Sequence, residues 1–233
     1  MKNGIDVSQW QGKIDWSKVT AEFVIIRAGY GRVITQKDAY FEANYSGCKS
    51  RSIPCGAYWF SYALTPEEAQ TEAEVFLEVI KGKQFEYPVY LDLEDERQLA
   101  LGKAACSAIA SAFLEKVEAA GYFVGIYSAK DNLEGYISEE IRQRYTVWVA
   151  EYGVSKPNYS GAYGIWQKSG SGTAAGISGD VCLDVGYEDF PEIIKSAGLN
   201  GFPKTPEPKP EQKKYFEITF DNTTYAGELT EKK

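Results

Sequence analysis

The sequence predicts an α/β fold: a modified (β/α)8, TIM-like barrel, irregular with some helices missing, followed by a short C-terminal tail. Three observations carry this. Eight short runs of apolar, β-branched or aromatic residues recur over the first 190 of 233 residues. Several of them, such as FVIIRAGY, YFVGIYS and TVWVAEY, are nearly unbroken, as strands covered on both faces are. Helical patterns fall between many of the runs, and strand–helix alternation builds a parallel sheet. The rival, an open doubly wound sheet, has no GxGxxG or GxxxxGK[ST] fingerprint to support it.

Taken in order, strands are expected at 4–8, 23–30, 54–62, 87–94, 122–128, 146–152, 163–168 and 181–187. Helices are expected at 38–50, 65–81, 103–120 and 189–197, with a short one at 138–144. The second helix has the clearest start, with Thr65 as N-cap, Pro66 in the first turn and acids following. The third and fourth stop before Gly121 and Gly198, residues suited to ending a helix. The links after the sixth and seventh strands are too short or too rich in glycine for full helices, and KSGSGTAAGISGD (168–180) reads as a loop. Residues 1–200 therefore form the barrel, 201–214 a proline-rich linker, and 215–233 a hairpin-like tail or the start of a second module.

Composition excludes several chemistries. The chain has no histidine, so Ser-His-Asp and Cys-His catalysis and His-based zinc sites are ruled out. A net charge of −8 argues against nucleic acid as a partner. No apolar run is long enough to enter a membrane, and no signal peptide precedes the first strand. The four cysteines match no zinc or redox spacing and read as free, buried thiols, although Cys48 and Cys55 could close a small disulfide loop. No cofactor or resident metal is expected, and oligomeric state is not legible.

The strand ends suggest the chemistry. In barrels of this type, functional groups come from the C-terminal ends of the strands. Asp6 lies on the first strand, Asp92 and Glu94 on the fourth, and Asp184 on the eighth. Side chains alternate along a strand, so Asp92 and Glu94 share a face, and the first and eighth strands are neighbours in a closed barrel. A lone strand aspartate is more often a cap or half of a salt bridge. Four that can converge amid apolar neighbours suggest a site in which burial and mutual charge raise carboxyl pKa values. Paired carboxylates are the usual equipment for glycosidic bond hydrolysis. Calcium or magnesium binding is the other use of such a cluster.

The segments GIDVSQWQGKIDW, YPVYLDLED, GIYS, WVAEY and YGIWQKSGSGTAAGISGDVCLDVGY, ordered over about residues 3–192, resemble glycoside hydrolase family 25, the Chalaropsis-type lysozymes. The resemblance implies a muramidase that cuts the β-1,4 bond between N-acetylmuramic acid and N-acetylglucosamine in peptidoglycan. It would act extracellularly or at the cell wall, as a secreted enzyme or a phage or prophage lysin. It implies Glu94 as general acid, with Asp92, Asp6 and Asp184 as the accompanying carboxylates. Asp6 or Asp92 could be a nucleophile, or the substrate's own acetamido group could attack with Asp92 orienting it; the Asp92–Glu94 spacing favours the second. Tyr62, Tyr127 and Trp148, and also Tyr30, Trp59 and Tyr152, are candidates for sugar contact, while Trp10 and Trp16 are expected to pack the first loop. Arg27 and Arg32 are expected in salt bridges, or against a substrate carboxylate. The alternative function is a glycan-binding module on the same barrel without catalysis.

Overall fold

The computed structural model describes residues 1–204 and 215–228. Eight strands form a closed barrel in chain order. They are β1 (Lys2–Val7), β2 (Phe23–Tyr30), β3 (Cys55–Phe60), β4 (Val89–Asp92), β5 (Val124–Ala129), β6 (Thr146–Ala150), β7 (Ile165–Gly172) and β8 (Val181–Gly186). The helices are α1 (Phe41–Ser50), α2 (Pro66–Ile80), α3 (Glu96–Leu99), α4 (Lys103–Ala119), α5 (Lys130–Tyr136), α6 (Glu139–Arg144) and α7 (Phe190–Ala197).

Strand parity divides the core. On β2, Val24, Ile26 and Ala28 face the helices, whereas Phe23 and Ile25 join an inner cluster with Tyr90, Tyr127, Trp148 and Ile165. Outside the barrel, Phe76 of α2 stacks on Phe113 of α4 with ring centroids 5.8 Å apart. Thr65 accepts the backbone N–H of Glu68 and so caps α2 as expected. The buried end of the barrel is closed by Asn200: its side chain accepts from Phe123 N (2.7 Å) and donates to the carbonyls of Phe85 (3.1 Å) and Tyr87 (2.9 Å).

Two features depart from the regular alternation expected. β8 runs antiparallel to both neighbours, β7 and β1. β7 also extends to Gly172, into the segment expected to be a loop, so β7 and β8 form a hairpin. The cause is the short connection, since a parallel return needs a crossover of about a dozen residues or more. α3 and α5 were not expected, and β4 ends at Asp92, which leaves Glu94 beyond the strand.

The four cysteines are free thiols. Among the described residues no helix is long and apolar enough to cross a membrane. Residues 201–204, the start of the expected linker, still lie on the closed end of the barrel, Gly201 O accepting from Gln84 Nε2 at 2.9 Å and Phe202 packing against the inner cluster; the rest, 205–214, lies outside the described residues, as do 229–233. Beyond it, β9 (Tyr215–Phe220) and β10 (Thr223–Glu228) pair antiparallel around Asp221 and Asn222, which both have positive φ, as a two-residue hairpin turn requires.

Candidate active site

A cavity of about 390 Å³ opens at the end of the barrel where β1–β7 finish. Parity decides what enters it. Asp6, Arg27, Tyr58, Phe60, Asp92, Tyr127, Trp148, Gln167 and Cys182 reach in from the strands, and Glu94 from the connection after β4. Trp10 and Tyr152 also line it, and are 78% and 52% exposed. A second cavity, of about 290 Å³ at the opposite end, has only Glu188 as a carboxylate in its lining.

Asp6 is fixed by a relay. Gln167 Nε2 donates to its Oδ2 at 2.7 Å, and Gln167 Oε1 accepts the hydroxyls of Tyr127 (2.9 Å) and Tyr152. Two donors on one amide oxygen orient the amide, so its NH2 faces the carboxylate. Burial raises the Asp6 pKa to about 6, against the opposing hydrogen bonds from Gln167 and the Cys182 thiol. Asp184 lies two residues further along β8. Its Oδ1 accepts Trp148 Nε1 at 2.9 Å, and its Oδ2 has no donor among the described residues. Burial, and then the charge of Asp6, push its carboxyl well above the usual range, so the proton of this pair rests on Asp184.

The other two acids have less support. Asp92 is buried, and its Oδ1 meets no donor among the described residues. Burial and the neighbouring charge of Glu94 raise its pKa well above normal, with Arg27 opposing. Glu94 is half-buried, and burial raises its pKa too. One cavity thus holds Asp6, raised to about 6, beside Asp92 and Glu94, whose protonated forms burial favours, a pairing suited to supplying an anion and a proton donor together.

Asp6, Asp92 and Glu94 are brought together here, but Asp184 does not line the cavity. The expectation placed it at a strand's C-terminal end. Because β8 is reversed, the mouth meets that strand's N-terminal end, where Cys182 stands, and Asp184 lies a layer beneath.

The candidate sugar contacts separate. Tyr127 and Trp148 line the cavity but are 7% and 1% exposed, with ring centroids 4.5 Å apart, so they form its floor. Tyr30 and Tyr62 stand beside it, in edge contact at 5.9 Å. Trp59 has the opposite parity: it is fully buried against Phe76 and donates to Gly31 O at 3.1 Å, which makes it core. Gly29 leaves room for that ring, since a Cβ there would come within 2.6 Å of it. Trp16 packs on Gly47 of α1, as a residue of the first loop should.

Trp10 does not pack the first loop. It sits on a single 3-10 turn, Gln9–Gln11, capped by Ser8. That turn is tied down by Gln9 N to Asp38 Oδ2 (2.9 Å) and by Gln11 Nε2 to Asp180 O (3.1 Å), and the ring is left open to solvent. Arg32 pairs with Glu68, whereas Arg27 makes no ion pair with any described residue. Tyr58, Phe60, Gln167 and Cys182 were not foreseen. Counting every second residue from Asp6, Asp92 and Asp184 across the register pairs would have found them.

Comparison with known proteins places this cavity in context. The family model of glycosyl hydrolases family 25 matches residues 5–177. The chain is 32% identical over 219 residues to the uncharacterized protein YegX of Escherichia coli K12, covering 88% of this chain and 75% of that protein. It is 32% identical over 204 residues to the autolytic lysozyme of Clostridium acetobutylicum, covering 84% of this chain and 57% of that one. The solved structure of a bacterial lysozyme from Streptomyces coelicolor superposes with a TM-score of 0.72 at 28% identity, covering 84% of this chain and 96% of that one.

Proposed function

The chain belongs to glycosyl hydrolases family 25, and from that premise we propose that it is a peptidoglycan hydrolase of the lysozyme class. It is an N-acetylmuramidase that cuts the β-1,4 bond between N-acetylmuramic acid and N-acetylglucosamine, with Glu94 as the general acid. The observation that carries this reading is the convergence of Asp6, Asp92 and Glu94 in one cavity floored by Tyr127 and Trp148 and rimmed by Trp10 and Tyr152.

Each residue has a task suited to its surroundings. Burial raises the Glu94 pKa and so favours its protonated form, and Glu94 delivers that proton to the leaving oxygen. The acetamido carbonyl oxygen of the muramoyl residue attacks C1 as that bond breaks. The acetamido N–H donates to Asp92, whose Oδ1 has no donor among the described residues. Glu94, now a carboxylate, takes a proton from the water that opens the intermediate. Asp6, held by Gln167, supplies negative charge near the developing oxocarbenium ion. The open rings of Trp10 and Tyr152 stack on sugars further along the strand. The substrate lies outside the cytoplasmic membrane, so the enzyme works at the cell wall, as a secreted protein or a lysin.

The test is digestion of purified peptidoglycan, with mass spectrometry and NMR of the fragments. Fragments ending in reducing muramic acid with retained anomeric configuration are expected. Reducing-end N-acetylglucosamine would contradict the bond assignment. An inverted product, or undiminished cleavage of N-deacetylated strands, would contradict the acetamido route.

A further inference from the structure

Arg27 is a charged group for which neither the fold nor the reaction above has a use. Among the described residues it is the one cation lining the catalytic cavity. The arginines nearest the mouth on other segments are neutralised, Arg32 by Glu68 and Arg97 by Asp95. Arg27 forms no ion pair or hydrogen bond with a described residue. Its guanidinium lies over the rings of Tyr30 and Phe60, at 5.1 and 5.6 Å from their centroids, and its buried Nε has no acceptor. Two rings therefore flank the guanidinium, and its hydrogen-bonding capacity is unspent among the described residues. A half-buried cation is normally retained by a partner. Asp92 and Asp38 feel its charge but do not touch it.

The titratable carboxyls lining the cavity, Asp6, Asp92 and Glu94, offer an anionic substrate no attraction, and Asp6 repels it once ionised above about pH 6. N-acetylmuramic acid differs from N-acetylglucosamine by a 3-O-lactyl group that ends in a carboxyl, and in peptidoglycan this carries a peptide with further carboxylates. A planar fork flanked by aromatic rings, with free N–H groups and no internal anion, is matched to a carboxylate.

We propose that Arg27 is a specificity-determining residue that recognises a substrate carboxylate on the lactyl side of the muramoyl residue. The inference rests on the muramidase reading. It gives the site a means of separating muramoyl glycans from neutral chitin-like strands, and it favours strands whose lactyl carboxyl has been freed by prior amide hydrolysis.

The experiment uses full-length wild type, Arg27→Gln and Arg27→Lys on two strand preparations. In one, amidase treatment has left free lactyl carboxylates; in the other, those carboxylates have been converted to primary amides with carbodiimide and ammonia. Arg27→Gln is expected to lose about 10- to 100-fold in kcat/KM on the carboxylate strands, mainly through KM, and to match wild type on the amide strands. Arg27→Lys, which keeps the charge without the fork, should recover part of the loss. Equal loss on both strands would overturn the proposal and assign Arg27 to balancing Asp92; no loss on either would also overturn it. On intact peptidoglycan, where the lactyl group is in amide linkage, the effect of Arg27→Gln is expected to diminish; an undiminished effect there would overturn recognition of the lactyl carboxyl. If wild type cuts neither preparation, the muramidase reading itself has failed; an active wild type with an indiscriminate variant sinks only the role of Arg27.

Discussion

Gln167 sets the charge state of Asp6. Its amide NH2 donates at 2.7 Å, a bond made to the ionised form, and this holds down a pKa that burial raises to about 6. Gln167→Leu removes the donor, so the Asp6 pKa rises further. The acid limb of kcat/KM against pH should move upward, while the alkaline limb, set by loss of the Glu94 proton, should stay in place. An unmoved acid limb would remove Asp6 from the reaction. Trp10 makes a different prediction. Its ring is 78% exposed on a turn held by other residues, so Trp10→Ala removes a sugar platform without disturbing the fold. A rise in KM of roughly three- to tenfold with kcat little changed is expected from steady-state kinetics on long glycan strands. From sequence alone the ring looked like loop packing, because neither composition nor spacing reports that a turn is pinned by a distant Asp38 and Asp180.

The strands and the long helices were legible because their signals are local: unbroken apolar runs, the Thr65 cap and the terminating glycines. The direction of β8 was not, because direction depends on the length of the connection rather than on the strand's own residues. The eighth strand reads the same either way, yet its reversal exchanges Asp184 for Cys182 at the mouth. α5 escaped notice because Ala129, at its N-cap, makes no side-chain capping bond. Capping and clasping residues also carry measurable stability. Thr65→Ala should cost about 1 kcal/mol by losing the cap of α2. Asn200→Ala strands three buried backbone groups at the closed end and should cost more, about 2–4 kcal/mol, with a larger fall in denaturant midpoint. Equal effects would show that Asn200 is not the clasp it is taken to be.

For the molecule as a whole, the buried acids tie stability to pH. Burial raises Asp6 to about 6, raises Glu72 to about 7 and pushes Asp92 and Asp184 well above the usual range, whereas all four titrate near 4 in the unfolded chain. The folded state therefore binds more protons than the unfolded one above pH ~4, and its stability falls as pH rises through about 6 and 7. Tm should be higher at pH 5 than at pH 8, by roughly 5 °C or more. A flat or reversed profile in calorimetry would mean that these carboxyls are not protonated in the native state. For Asp6, Asp92 and Asp184 this is the stability cost of collecting carboxylates for chemistry; those three were legible in the sequence, whereas Glu72, buried on α2 outside the cavity, and the relay orienting Asp6 were not. The most direct test of that chemistry is the rate at which reducing ends appear in purified peptidoglycan, compared between wild type and Glu94→Gln with both shown to be folded by their Tm. The account predicts a loss of at least about two orders of magnitude in the variant, with wall binding retained. A variant within tenfold of wild type would remove Glu94 as the acid, and a wild type that binds walls without cutting them would make the barrel a binding module.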